Sequence, residues 1–219
     1  MINKIINLTI YLLRYFSIIE TKYKISNKVN FGSSVSNKYF KKNLKNCKFY
    51  LEYGAGNSTL LAKKLNKNFL SIEADKSFYT FVKNKGIKNI NFADIGPTKY
   101  YSIPILPVPL ILNKIKIYAN QIRNFFQKFR NLPDFILIDG RFRVFVTLSV
   151  IEFCLSKKNL ANLTIIIDDF KNRKNYHDLR KLFKIKLVGR FGVIKLNKRS
   201  KIKKRVIKKY LKSSILNYI

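Results

Sequence analysis

The stretch Phe49-Tyr50-Leu51-Glu52-Tyr53-Gly54-Ala55-Gly56-Asn57-Ser58-Thr59-Leu60-Leu61 reads as a short apolar strand, a glycine turn and the first turn of a helix. Phe49 to Leu51 suit a buried strand. Gly54 and Gly56 remove Cβ atoms where the chain turns tightly, so that a ligand can approach the backbone. Ser58 or Thr59 can cap the helix that continues through Ala62 and Leu65. Backbone N–H groups and the positive helix end then face whatever binds above the turn. A glycine motif alone marks only a tight turn, so the rest of the chain must decide.

Outward from that stretch, apolar runs alternate with helical patterns. Strands are expected at Asn68–Glu73, near Asn89–Ala93, at Pro133–Gly140, ending in Asp-Gly, and Leu163–Asp169, and more briefly at Ile185–Val188 and Val193–Leu196. Helices are expected at Lys38–Lys45, Lys76–Lys85, over 114–130, at Arg143–Lys157 and at Tyr176–Phe183. Ile103–Leu112 carries three prolines and is expected to be an apolar loop. Continuous apolar strands separated by helices predict an α/β fold: a Rossmann-like, doubly wound, mostly parallel seven-stranded sheet with helices on both faces. Ligands in such sheets sit beyond the carboxyl ends of the strands.

The organisation divides as 1–37, an N-terminal helix and linker; 38–197, the ligand-binding domain; and 198–219, a basic C-terminal helix. Residues 2–20 are interrupted by Asn3, Lys4, Asn7 and Arg14, so no run of ~18 apolar residues spans a bilayer. No small-residue cleavage site follows, which argues against a signal peptide.

The chain has 219 residues, 45 basic and 11 acidic, for a formal charge of +34. Lys far outnumbers Arg, and Lys, Asn and Ile are all heavily used. This pattern fits an A/T-rich codon bias better than a phosphate-reading surface, which would favour the arginine fork. Carboxylates are therefore the informative charges. Seven of the eleven sit where predicted strands end: Glu52, Glu73, Asp75, Asp94, Asp139, Asp168 and Asp169. Cys47 and Cys154 lie in apolar surroundings and read as small buried hydrophobes in a reducing compartment, so a cytoplasmic location is expected.

Glu73 ends the second strand, 21 residues beyond Glu52, where a carboxylate can accept hydrogen bonds from both hydroxyls of a ribose. An NAD fingerprint would want a third glycine at Thr59. Its absence favours an adenosine ligand without a pyrophosphate.

Leu51-Glu52-Tyr53-Gly54-Ala55-Gly56, Ile72-Glu73-Ala74-Asp75, Ala93-Asp94-Ile95-Gly96 and Ile138-Asp139-Gly140 resemble the strand-end motifs of class I S-adenosylmethionine-dependent methyltransferases, over about residues 47–197. Asp94-Ile95-Gly96-Pro97-Thr98, Ile138-Asp139-Gly140-Arg141-Phe142-Arg143 and Ile167-Asp168-Asp169-Phe170 look like an uncharacterised bacterial branch of that superfamily. The resemblance implies S-adenosylmethionine as cofactor, with Gly54 and Gly56 under its methionine moiety, Glu73 on the ribose and Asp94 at the adenine amine. It also implies Glu52 near the methionine end and Ser58 where many members have a third glycine. Asp139 with Asp168 and Asp169 resembles the carboxylate layout of metal-dependent O-methyltransferases, which implies Mg²⁺. Read instead from the residues, Asp168 or Asp169 caps a helix or pairs with Arg141, Arg143 or Arg173.

Asp139, Arg141 and His177 are the candidate catalytic residues; a solvent-facing helix histidine is the plainer reading of His177. The fourth strand is followed by Asp139-Gly140-Arg141-Phe142 rather than an Asn/Asp-Pro-Pro-aromatic motif, which argues against nucleic-acid bases as acceptors. The expected activity is O-methylation of a small-molecule or glycan hydroxyl. The alternative is a non-catalytic basic protein with a Rossmann-like core that binds RNA or a membrane surface. The tail, with Lys208 and Lys209 interleaved with Ile202, Val206, Ile207, Tyr210 and Leu211, reads as a basic amphipathic helix. It implies peripheral contact with an anionic membrane, the inner membrane in a bacterial cell.

Overall fold

The computed structural model describes residues 2–16, 18–19, 23–157, 160, 162–197 and 204–217. Helix α1 (Ile2–Tyr15) leads into an irregular stretch and α2 (Ser34–Asn46), then β1 (Phe49–Tyr53), α3 (Asn57–Lys64), β2 (Asn68–Glu73), α4 (Lys76–Asn84) and β3 (Ile90–Phe92). After a hairpin-like loop come α5 (Val108–Ala119), α6 (Ile122–Phe129), β4 (Phe135–Ile138), α7 (Arg143–Ser156) and β5 (Leu163–Ile167). Two 3-10 segments, Phe170–Asn172 and Lys174–Lys181, precede β6 (Ile185–Val188), β7 (Phe191–Leu196) and α8 (Lys204–Asn217).

The seven strands form one sheet in the order β3-β2-β1-β4-β5-β7-β6. Strands β1 to β5 are parallel, and β7 runs antiparallel to both β5 and β6. The sheet is therefore mixed, a refinement of the mostly parallel expectation. Its reversed strand follows from the short Gly189 turn, which leaves no room for a crossover helix between β6 and β7. The period-two alternation divides the core. Leu51, Ile72, Ile136, Ile138 and Ile165 face α5 to α8, while Tyr50, Phe69, Phe135, Leu137 and Ile166 face α2, α3 and α4.

Three local readings change. Helix α2 begins four residues before Lys38, because Ser33 accepts a hydrogen bond from the Ser36 N–H and caps it. The expected loop Ile103–Leu112 is irregular only through Pro107. Helix α5 starts at Val108 with Pro109 in its first turn, where an amide donor is not needed. The helix expected over 114–130 breaks between Ala119 and Ile122. There the buried Tyr53 hydroxyl donates to the Ala119 carbonyl at 2.9 Å and accepts from the Ile122 N–H at 3.1 Å, satisfying both groups.

The basic tail helix α8 lies against α7. Ile207 is fully buried, and Tyr210 and Leu211 pack on the same core. Those three side chains are thus engaged by protein, whereas Val206 is exposed, and residues 198–203 of the tail lie outside the described residues. Among the described residues no helix is long and apolar enough to cross a membrane. Cys47 and Cys154 are both buried and unpaired, and burial raises each thiol to about 12, as suits inert core residues.

Candidate active site

Strand order reverses between β1 and β4, and a cleft of about 1030 Å³ opens there at the carboxyl ends of the strands. Two glycines hold its floor together. Gly54 has φ +94°, and a Cβ there would stand 2.8 Å from the Gly140 nitrogen; a Cβ on Gly140 would collide with the Tyr118 hydroxyl. The two strand ends touch backbone to backbone, and no side chain fits between them. Gly56 differs: a Cβ built on it meets no heavy atom within 4 Å, so its bare Cα borders open space at the start of α3.

One end of the cleft is lined by Glu73, Asp75, Phe78, Tyr23, Tyr100 and Ser102. The Glu73 carboxylate accepts from the N–H groups of Ala55 at 3.0 Å, Ala74 at 2.7 Å and Asp75 at 2.8 Å, and from the Ser102 hydroxyl at 2.8 Å. Burial raises its pKa to about 7, opposed by those hydrogen bonds. Ser102 and Tyr101 both have φ near +60° in a loop closed by a Thr98–Pro104 bridge. That loop roofs the cleft, and Arg141 ties it down by donating from Nε to the Tyr101 carbonyl at 2.7 Å. Helix α1 buttresses the same end. Arg14, almost wholly buried, pairs with Asp75 at 2.8 Å and lies over the Tyr100 ring at 4.4 Å.

The other end is lined by Asp139, Arg141, Arg143, Asp169, Arg173 and Arg190. Arg143 donates to the Asp139 side chain at 2.8 Å, to the Asp168 carbonyl at 2.6 Å and to Asp169 at 3.2 Å. Arg190, in the β6–β7 turn, pairs with Asp168 at 2.6 Å and also with Asp169. Asp139 keeps 34 % of its side chain open to the cleft. Burial of the rest raises its pKa; Arg143 opposes this, and the neighbouring Asp168 and Asp169 reinforce it.

Gly54 and Glu73 line the cleft, as do Asp139 and Arg141. Four other expected cofactor positions do not: Gly56, which borders open space without lining the cleft, and three more. Glu52 is fully buried beneath the turn, accepting from Tyr50 at 2.7 Å and from Thr59 and Ser71, so it braces β1 against α3 and β2 instead of meeting a ligand. Ser58 is buried in the same network. Asp94 is turned to the flank, where Lys114 at 2.6 Å, the Gly96 N–H at 2.7 Å and the Tyr15 hydroxyl at 3.1 Å take its oxygens. Although burial alone would raise its pKa, those bonds hold it below the ordinary value.

His177 packs on the Phe170 ring with Nε2 3.0 Å from the Phe170 carbonyl, outside the cleft lining, which leaves it no proton to take from an acceptor. The Mg²⁺ expected at Asp139, Asp168 and Asp169 does not fit either. The guanidinium groups of Arg143 and Arg190 already occupy these carboxylates, and among the described residues no three metal-ligating side chains are grouped to hold an ion.

The Silicibacter pomeroyi methyltransferase-like protein, known from a crystal structure, superposes with a TM-score of 0.70 over 87 % of this chain and 98 % of that one, at 22 % identity. The chain has a class I methyltransferase-type fold. A fibrillarin/Nop5p complex aligns at a TM-score of only 0.38 and 11 % identity, over 81 % of this chain and 91 % of that one, too loosely to carry an argument. No family model and no curated protein matches the sequence.

The arginine lining is what sequence reasoning missed. Arg143 and Arg173 were legible only as ion-pair partners, and Arg190 and Ser102 carry no local motif. A usable signal existed in the lysine bias, since only ten arginines occur in the chain and four of them line this cleft.

Proposed function

We propose that the protein is an S-adenosylmethionine-dependent methyltransferase that methylates a hydroxyl of a small molecule or glycan without a metal ion. The observation that carries this reading is Glu73, a buried carboxylate at the end of β2, facing a glycine turn whose Gly56 borders open space. Glu73 would hold the ribose diol, with the Ser102 hydroxyl standing in for it in this structure and rotating away on binding. Gly54 and Gly56 would admit the methionine portion, and Phe78, Tyr23 and Tyr100 would flank the base. S-adenosylmethionine supplies an already activated methyl group, so the protein must align the acceptor and remove one proton. Asp139 suits the removal of that proton, being open to the cleft and oriented by Arg143, with a raised pKa that makes it a better proton acceptor near neutrality.

Exposed apolar side chains on α1 and α5 support contact with an anionic membrane during the reaction. Ile5 on α1 and Leu110 and Ile117 on α5 are 59 %, 74 % and 60 % exposed. The two helices are joined through Tyr15, Asp94 and Lys114. A net charge of +34 is complementary to such a surface.

Calorimetric titration with S-adenosylhomocysteine tests the cofactor assignment. Wild type should bind, and Glu73→Gln should bind about 1–3 kcal/mol more weakly through the lost charged hydrogen bond. Wild-type protein that binds NAD⁺ but not S-adenosylhomocysteine overturns it. Protein that binds neither leaves the non-catalytic alternative.

A further inference from the structure

The carboxylates and guanidinium groups at the β4–β5 end of the cleft do not balance. Three carboxylates, Asp139, Asp168 and Asp169, are engaged by Arg143 and Arg190 at hydrogen-bond distance. Arg173 reaches Asp169 only at 3.6 Å, beyond a good hydrogen bond. Arg141 commits Nε to the Tyr101 carbonyl, and its two terminal nitrogens meet no acceptor among the described residues. Lys24 lines the same cleft. Burial, then Arg143 and Arg173, make the charged form of Arg141 harder to keep than in water, so the site holds a cation that its own residues leave uncompensated.

Residue choice points the same way. The chain has 45 basic residues, of which ten are arginine. At a position that needed only a positive charge, this composition would supply lysine. Arginine differs from lysine in its planar fork, which matches a phosphate or carboxylate with two parallel bonds.

We propose that the methyl acceptor is an anion, a phosphate monoester or a carboxylate, whose charged group is gripped by Arg141 and Arg173 at the mouth of the cleft beside Asp139. This rests on the methyltransferase reading for the word acceptor; the anion site itself does not. The grip would hold the acceptor hydroxyl toward Asp139 by its distal charge, and a neutral hydroxyl compound of the same size would be a poor substrate.

Inorganic phosphate is the probe, titrated calorimetrically at constant ionic strength. The proteins compared are wild type, Arg141→Ala/Arg173→Ala, and a control, Lys41→Ala/Lys42→Ala on exposed residues of α2. Wild type and control should bind alike, and the arginine double variant at least tenfold more weakly. Equal phosphate binding by all three overturns the proposal. If the alanine variant does not fold, Arg141→Lys/Arg173→Lys keeps the charge and removes the fork: weaker binding supports the inference, and unchanged binding rejects it.

S-adenosylhomocysteine titration of the same samples separates the two readings. Nucleoside binding without arginine-dependent phosphate binding sinks the anion site alone. Arginine-dependent phosphate binding without nucleoside binding sinks the methyltransferase reading alone. Vesicles of phosphatidylcholine with phosphatidic acid, against equal charge as phosphatidylglycerol, locate the source. Arginine-dependent preference for phosphatidic acid places the phosphomonoester on a lipid, and its absence beside retained phosphate binding places it on a soluble acceptor.

Discussion

Glu73 has two opposing pH dependences built into one carboxyl. Its folded pKa of about 7 stands above the ordinary 4.5 because burial outweighs its four hydrogen bonds. A carboxyl whose folded pKa is raised stabilises the fold below the unfolded value and loses that contribution as pH rises through the folded one. The ligand-free protein should therefore lose up to about 3 kcal/mol as pH climbs from below 4.5 to above 7. Nucleoside binding should move the other way, since a ribose diol needs the ionised acceptor. Affinity for S-adenosylhomocysteine should rise about tenfold from pH 6 to pH 8. Calorimetry across that range checks it, and a flat affinity would remove Glu73 from the ribose site. The sequence exposed Glu73 because strand-end carboxylates are rare in this chain. It hid the difference between Glu73 and Glu52, which share one sheet face: Glu52 lies level with Ser71, two residues short of Glu73, so it stays under α3 while Glu73 reaches the open end of β2.

At the scale of elements, the ends of β4 and β5 are stitched by one side chain. Arg143, at the start of α7, donates to five oxygens: the carbonyls of Asp139, Gly140 and Asp168 and the side chains of Asp139 and Asp169. Phe142 before it is held at φ +53°, an uncommon conformation for a bulky residue, and Asp169 at φ +58°. Those left-handed residues aim Arg143 and the two aspartates at one another. Arg143→Met should cost about 3–5 kcal/mol in urea unfolding, because it strands buried carboxylates. Arg143→Lys should recover only part, since an ammonium cannot span five acceptors. A loss below about 1 kcal/mol for the methionine variant would show that Arg190 alone holds the pair. The strands themselves were legible: Phe135–Ile138 and Leu163–Ile167 are apolar runs with one structural use. The pairing of Asp169 with Arg143 and Arg173 was legible as well; Arg190 was not, because it belongs to a turn far along the chain that only the antiparallel β7 brings beside β5.

At the scale of the whole molecule, the question is what the exposed apolar residues and the charge do together. The tail helix spends Ile207, Tyr210 and Leu211 on the core beside α7, so those three side chains are not available to lipid. The N-terminal helix does the reverse. Arg14, one of the residues that interrupt its apolar pattern in the sequence, is turned inward to Asp75, and Ile5, Ile6 and Leu8 are turned out. With Leu110 and Ile117 of α5 they leave apolar side chains exposed on a strongly basic protein. Such residues partition into the boundary between headgroups and acyl chains, while lysines supply long-range attraction that salt screens. Co-sedimentation with phosphatidylglycerol vesicles should show binding at low salt that falls as salt is added. The triple variant Ile5→Ser/Ile6→Ser/Leu8→Ser should pellet several-fold less than wild type at matched salt, because the charge is unchanged and only the apolar anchor is lost. Equal pelleting of the two proteins would reduce the association to charge alone, and equal recovery in the supernatant with anionic and neutral vesicles would remove the membrane from the reaction.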